Sequence, residues 1–213
     1  THGLPIEAVL PALTAALGPD HPSTLIAQAN LAHHVGLTGA TAQAAHRYAG
    51  LIADSTRALG PDAEATLVVR AQHAHYLAAS GDVAAARDAL EVLLADRLRV
   101  SGPDHAHTLA ARHELAYMRG QLGDVAGALH ETRALLADRT RVDGPDHPAT
   151  LQCRLAVSGL LGELGDLAQA LAEGRTVLAG VTRVHGPEHP LVFNARHQLA
   201  DHLGQTGDYE GAV

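Results

Sequence analysis

The sequence repeats itself every 42 residues, and this period constrains the fold more than any other feature. A short motif, Gly-Pro followed by Asp or Glu, begins each copy, and its first residues are Gly18, Gly60, Gly102, Gly144 and Gly186. A second glycine follows 21 residues later in every copy, at Gly39, Gly81, Gly123, Gly165 and Gly207. A fixed period of this length is typical of architectures in which each unit packs on its neighbours.

The two glycines divide each copy into two predicted helices. In the third copy, Leu109 and Leu115 belong to a set of apolar residues at approximately helical spacing, which predicts a helix over residues 105–122. Gly123 supplies the left-handed conformation that commonly ends a helix, and a second helix is predicted to continue to about Val142. The same division in every copy predicts an all-α chain of antiparallel helix pairs.

Residues suited to helix ends support these boundaries. Asp124 is predicted to cap the second helix of the third copy, because its carboxylate can accept hydrogen bonds from free backbone amides. At the next boundary, Asp146 is predicted to cap the helix whose first turn contains Pro148. The first copy has Ala40 in place of the capping aspartate, so Thr41 is predicted to cap its second helix.

These motifs resemble the tetratricopeptide repeat, in particular the 42-residue form found in kinesin light chains and many bacterial signalling proteins. The resemblance rests on the GPDHPxTL turn, on the Gly-Asp hinge and on two columns of small residues that let paired helices approach closely. The columns are Ala32, Ala74, Ala116, Ser158 and Ala200 on the first helices, and Ala44, Ala86, Ala128, Ala170 and Ala212 on the second. The resemblance implies an all-α, right-handed superhelical solenoid of antiparallel helix pairs.

The period also predicts the domain organisation, which is a single array over residues 1–213. Its full repeats are 18–59, 60–101, 102–143 and 144–185, preceded by the second helix of an earlier repeat in 1–17 and followed by a partial repeat in 186–213. Solenoids usually need polar capping repeats, and neither end carries one. We therefore expect an array truncated at both ends.

Composition excludes several classes of protein. All fifteen basic residues are arginine and the net charge is −8, which disfavours binding to nucleic acid. The apolar runs are too short for the roughly 20 residues that a membrane span needs. Cys153 is the sole cysteine, so no internal disulfide forms, which suits a reducing compartment. We predict a cytoplasmic protein that binds neither nucleic acid nor membrane.

The sequence gives little support to catalysis. It contains no Gly-x-Ser-x-Gly elbow and no phosphate-binding loop, and the lack of lysine removes Walker-type sites and Schiff bases. Cys153 occupies a column of otherwise small apolar residues, which indicates a core position. We predict that the chain is not an enzyme and needs no cofactor.

The resemblance implies that the first helices line a concave groove in which a peptide or protein partner lies. The predicted ligand-binding residues are Asn30, His33, Arg70, Gln72, His75, Arg112, His113, Glu114, Tyr117, Arg154 and Arg196. The four arginines could form a ladder of donors for carboxylates or peptide carbonyls. Alternatively they pair inside the scaffold with the acidic residues of the turns, which are Asp20, Asp62, Asp104, Asp146 and Glu188.

The other polar groove positions concentrate in the first three repeats, whereas the fourth has Ala156 and Gly159 at the same positions. This distribution predicts a binding hot spot between repeats one and three, and the alternative is a solvated surface without a partner. The predicted function is a protein- or peptide-binding scaffold or sensor module. Self-association through the solenoid ends, as part of a larger signalling protein, is an alternative.

Sixteen histidines suggest a further alternative, a sensor of metal ions or small molecules. His33 and His75 could meet across the groove. However, no H-E-x-x-H, C-x-x-C or three-ligand spacing is present, so no metal site is predicted.

Overall fold

The computed structural model describes residues 6–207, and all regular secondary structure in this range is helical. The ten helices there are α1 (Ile6–Leu17), α2 (Pro22–Leu37), α3 (Thr41–Leu59), α4 (Glu64–Ala79), α5 (Val83–Ser101), α6 (Ala106–Gln121), α7 (Val125–Val142), α8 (Pro148–Glu163), α9 (Leu167–His185) and α10 (Pro190–Thr206). They form sequential antiparallel pairs, which confirms the predicted all-α fold.

The helices belong to two compact units, Thr1–Pro103 and Asp104–Val213. Helices α1 to α5 lie in the first unit, where each packs on the next one along the chain. Helices α6 to α10 lie in the second unit and pack in the same order, and α8 also contacts α10. The repeat boundaries that we derived from the period remain a prediction.

The helix ends of the third copy agree with the sequence. Helices α6 and α7 lie within one or two residues of their predicted bounds. Between them Gly123 has a φ of 93°, in the left-handed region. The carboxylate of Asp124 accepts a hydrogen bond from the N–H of Gly127 at 3.0 Å, so the predicted cap is confirmed.

The prediction that Asp146 caps α8 is wrong, because the cap is His147. The N–H of Ala149 donates to Nδ1 of His147 at 3.3 Å, and Pro148 occupies the first turn as predicted. The backbone of His147 is extended, which aims its ring at the free amides of the helix. Three other copies use the histidine of the turn in this way, at His21, His105 and His189.

The turn aspartates instead bind arginines near the end of the second helix of the same copy. The pairs are Asp20–Arg57, Asp62–Arg99, Asp104–Arg141 and Asp146–Arg183, with N···O distances of 2.5–2.6 Å. Each arginine lowers the pKa of its partner carboxyl through a side-chain hydrogen bond. These pairs fix the turn against the last turn of the second helix of the same copy, and this occupies the carboxylates that would otherwise cap.

The predicted cap of the first copy is also wrong. Thr41 is the first residue inside α3, and the cap position is held by Ala40, whose methyl group accepts no hydrogen bond. Helix α4 likewise begins after an alanine, Ala63. Among helices α2 to α5, two therefore start without a side-chain cap.

Small and aliphatic columns form the core of both units. Ala44 and Ala86 in the first unit and Ala128 and Ala170 in the second are fully buried on the second helices. Cys153 is buried as predicted, and its thiol donates to the carbonyl oxygen of Thr132 at 3.4 Å. Burial raises the pKa of this thiol to about 11, so it is not poised as a nucleophile.

Among the described helices, none combines the length and the hydrophobicity required to cross a membrane.

Candidate functional site

A cavity of about 210 Å³ opens in the second unit between α6 and α8. Its lining comprises His113, Tyr117, Gly120 and Gln121 of α6, Thr132 of α7, Ala156, Gly159, Leu160 and Glu163 of α8, and Gln198 of α10. Helices α6, α8 and α10 are the first helices of the last three predicted copies. The cavity therefore lies on a face to which three first helices contribute.

Small residues leave this space open. Gly120, Ala156 and Gly159 lie on its walls, where a longer side chain would occupy the volume. Gln198 lies against Gly159, and a β-carbon at position 159 would collide with its amide. In the orientation that satisfies both of its polar atoms, this amide donates to the carbonyl oxygen of Leu155 and accepts from the N–H of Gly159, each at 3.2 Å.

Polar groups with different roles surround the cavity. Tyr117 is 57% exposed, and Gln121 and Glu163 are also exposed, so all three are available at the mouth. The hydroxyl of Thr132 is already engaged, since it donates to the carbonyl oxygen of Ala128 at 2.7 Å. His113 is half-buried, and burial lowers its pKa, which keeps its ring neutral at pH 7.

Two of the predicted ligand-binding residues, His113 and Tyr117, meet in this cavity. Glu114 is exposed on the same helix, and Arg196 is exposed on α10. The cavity lies in the third to fifth copies, so it overlaps the predicted hot spot of repeats one to three only in the third copy. Ala156 and Gly159, which lack functional groups, contribute to it by their small size.

Two arginines of the predicted column form ion pairs within the scaffold. Nη1 of Arg70 lies 2.8 Å from Oδ2 of Asp96 in the first unit. In the second unit, Nη1 of Arg112 lies 2.7 Å from Oδ2 of Asp138. These pairs favour the scaffold alternative for both arginines. That alternative predicted partners in the turns, whereas the acidic partners lie on the second helices.

Arg154 differs from these two because its copy lacks the equivalent aspartate. Gly180 stands at the position of Asp96 and Asp138. The acid that approaches Arg154 is Glu173, with Nε and Oε2 3.9 Å apart. Within the described part of the chain, both of these buried atoms lack a hydrogen-bond partner.

The remaining predicted residues lie in the first unit, where two of them contact Tyr76, a buried residue that our sequence interpretation did not select. Nδ1 of His33 lies 2.8 Å from the Tyr76 hydroxyl, and the ring of His75 makes an edge contact with the Tyr76 ring. Asn30 is exposed and Gln72 is half-buried. His33 and His75 thus both contact one tyrosine, and both remain exposed.

Gln121 and Glu163 are the exposed polar residues of the cavity that the sequence interpretation missed. They follow Tyr117 and Gly159 by four residues, which places them on the same helix face one turn later. This spacing was the available signal. No group of three or more potential metal ligands is close enough to hold an ion in residues 6–207.

The comparisons with known proteins identify the family. The sequence matches the Tetratricopeptide repeat family over residues 66–107 and again over residues 158–213. The chain is a tetratricopeptide repeat protein. No curated protein matches its sequence.

Solved structures support the assignment of this chain to the tetratricopeptide repeat family. The kinesin light chain TPR-like repeats of Podosopora anserina have 24% identity and a TM-score of 0.75, covering 90% of this chain and 91% of theirs. BtubC (BKLC) from P. vanneervenii has 15% identity and a TM-score of 0.80, covering 99% and 87%. YrrB, described as a TPR protein with an unusual peptide-binding site, has 15% identity and a TM-score of 0.54, covering 98% and 89%.

These similarities show a tetratricopeptide-like helical repeat fold that is structurally similar to kinesin-light-chain-like repeats. Tetratricopeptide repeats generally form protein- or peptide-binding modules, and they are usually not catalytic. The comparisons identify no catalytic family.

Proposed function

We propose that this tetratricopeptide repeat protein binds a peptide segment of a partner protein on the face formed by α6, α8 and α10. The cavity beside Tyr117 is the observation that carries the proposal. Its volume of about 210 Å³ is below the roughly 300–1,000 Å³ of pockets that enclose drug-sized ligands. This size suits one side chain of an otherwise surface-bound segment.

The lining offers both parts of such recognition. Tyr117 presents an exposed aromatic ring, a group that is enriched among residues dominating binding energy. Gln121 and Glu163 can hydrogen-bond to the backbone or side chains of the segment at the mouth. The floor of small residues on α8 needs no rearrangement to admit a side chain, so little conformational entropy is lost on binding.

Selection from a random peptide library tests this function. Peptides enriched by the wild-type protein should lose binding to Ala156→Trp, which fills the cavity, and bind more weakly to Tyr117→Ser. Ala134→Trp is the matched control, because it adds the same ring at an exposed position of α7. Circular dichroism confirms that each variant is folded.

Loss of binding in the two cavity variants and retention in Ala134→Trp support the proposal. Equal binding by the wild type and by Ala156→Trp shows that the peptide lies elsewhere. Failure to enrich any peptide argues against the function itself.

We also propose that the module acts in the cytoplasm as part of a signalling protein. The single buried cysteine suits a reducing compartment, and repeats of this type are found in bacterial signalling proteins. Self-association and metal sensing are the alternative functions. Sedimentation over a range of concentrations tests the first, and thermal shift with zinc, in the wild type and in a His33→Ala/His75→Ala variant, tests the second.

A further inference from the structure

The charge around the cavity is negative. Among the lining residues the acidic side chain is that of Glu163, and burial lowers the pKa of His113, which favours its neutral form. Glu114 precedes Tyr117 by three residues, and Asp201 follows Gln198 by three, so each lies on the same helix face as a lining residue. The three first helices of the second unit therefore each place a carboxylate at or beside the cavity.

The nearby arginines do little to offset this charge, because most of them are committed elsewhere. Arg112 binds Asp138 at 2.7 Å, and Arg139 binds Asp143 at 3.1 Å in the interior. On α10, Arg196 precedes Gln198 by two residues and so lies on a different face.

Two further basic side chains of α6 and α10 each lie near an acidic residue. Nη1 of Arg119 lies 4.0 Å from Oε1 of Glu131 on α7. Nε2 of His197 lies 3.5 Å from Oδ2 of Asp201, so this histidine offsets Asp201 when it is protonated. Neither residue lines the cavity, whereas the Glu163 carboxyl group does.

This arrangement matches the chemistry of a basic side chain. The aliphatic stem of a lysine or arginine can pack along Leu160 and Ala156, while its cationic end stays near water at the mouth. There the cation would meet the Glu163 carboxylate and the exposed ring of Tyr117, which attract it through a charge-assisted hydrogen bond and a cation–π interaction. A carboxylate in the same place would be repelled by the like charge of Glu163. An apolar group would gain no binding energy from Glu163.

We infer that the cavity selects a lysine or arginine side chain of the bound segment, with Glu163 as the residue that determines the specificity. The inference rests on the proposed peptide-binding function and names the chemistry of its ligand. It therefore predicts that the partner's bound segment carries a positive charge at the position that anchors in the cavity.

The test uses fluorescently labelled peptides from the library selection, measured by anisotropy against the intact protein. We expect the selected peptides to share one lysine or arginine. Replacement of that lysine by norleucine, which keeps the aliphatic stem, should weaken binding about tenfold. Glu163→Gln should cause a similar loss for the charged peptide and no loss for the norleucine peptide.

Glu188→Gln is the matched control, because Glu188 is an exposed acid of the same unit outside the lining. It removes the same charge and should leave the affinity unchanged. Glu163→Arg should in turn prefer peptides with glutamate at the anchoring position.

The outcomes separate the two claims. If Ala156→Trp abolishes binding but the norleucine peptide binds as well as the lysine peptide, the inference is wrong and the peptide-binding function stands. Selected peptides without a shared basic residue would overturn the inference in the same way. If Ala156→Trp leaves binding intact, the proposed site fails and the inference fails with it.

Discussion

In the first unit the ring of Tyr76 on α4 lies directly against Gly36 on α2, so closely that a β-carbon on Gly36 would overlap it. The ring is fixed on several sides. Its hydroxyl lies 2.8 Å from Nδ1 of His33 and donates to the His33 carbonyl oxygen at 3.2 Å. Tyr48 stacks on it with ring centroids 5.5 Å apart. The tyrosine therefore has little freedom to move aside.

Gly36→Ala should destabilise the protein by about 1–3 kcal/mol, the usual cost of overpacking a well-packed interface. A helical glycine replaced by alanine would otherwise gain roughly 1 kcal/mol from helix propensity, so the steric effect must outweigh that gain. Urea denaturation followed by circular dichroism measures the change in the free energy of unfolding.

Gly50→Ala is the matched control for this prediction. Gly50 is exposed in α3, and a β-carbon there would have no atom of the described residues within 4 Å. We expect this variant to be more stable than the wild type by up to about 1 kcal/mol. If Gly36→Ala were stabilising to the same degree, Tyr76 would have to move freely, and the tight packing would be disproved.

The contact between Gly36 and Tyr76 also shows how far the sequence alone could lead. The fold followed from a period that five copies obey, so columns such as Ala44 and Ala86 could be assigned to the core without coordinates. Tyr76 is peculiar to one copy, where its column otherwise holds His34, Met118, Leu160 and His202. A repeat pattern describes what the copies share and gives no contact for a residue that departs from it.

The candidate site was predictable in part for the same reason. His113 and Tyr117 were placed on the first-helix face from their positions in the repeat, and both line the cavity. The opening itself depends on Ala156 and Gly159, whose small size becomes a binding feature only through the surrounding helices. The partners of Arg112 could not be chosen either, since several aspartates recur at equal spacing and only the packed geometry selects Asp138.

The helix starts without caps in the first unit lead to a second prediction. Ala40 has φ and ψ of −80° and 57°, close to the −83° and 62° of Asp124, which caps α7. Ala40→Asp should therefore supply the missing acceptor without backbone strain and raise the free energy of unfolding by about 0.5–2 kcal/mol.

The reverse change provides the control. Asp124→Ala should lower the stability by a similar amount, because it removes the bond to the N–H of Gly127. Both variants can be measured by urea denaturation at neutral pH. An unchanged midpoint for Ala40→Asp, together with a clear loss for Asp124→Ala, would show that the start of α3 cannot use a cap.

The arginine column gives a third prediction, in which two equivalent residues behave differently. Arg112→Met should cost about 1 kcal/mol, since it removes a partly buried pair with Asp138. Arg154→Met should cost less than about 0.5 kcal/mol, because Glu173 approaches it only to 3.9 Å. Methionine keeps most of the aliphatic packing in both variants.

The difference in stability cost between Arg112→Met and Arg154→Met should shrink in high salt, because salt weakens ion pairs that retain contact with solvent. Denaturation in low and high sodium chloride measures it. Equal costs for the two variants would mean that the ion pair with Asp138 contributes nothing beyond packing. The same two proteins would also show whether either arginine affects peptide binding.

His202 on α10 makes stability depend on pH in a defined direction. Its side chain is 4% exposed and lies against Gly162 of α8, and within residues 6–207 its Nδ1 has no hydrogen-bond partner. Burial lowers the pKa of this histidine below its ordinary 6.5, although the neighbouring Asp201 acts in the opposite direction. Above pH 6.5 the residue is neutral in both the folded and the unfolded chain. As the pH falls through 6.5 towards the folded pKa, the unfolded chain binds the proton first and the folded state loses stability.

His202→Leu should remove this loss, because leucine already fills the same column at Leu160, beside Gly120. When the pH is lowered from 7.5 to 5.5, the free energy of unfolding of the variant should rise by about 1 kcal/mol relative to that of the wild type. Urea denaturation at both pH values measures this change. His113, whose pKa burial also lowers, is present in both proteins, so its contribution cancels in the difference. A stability difference that stays constant over this range would mean that the folded state accommodates the His202 imidazolium as well as water does.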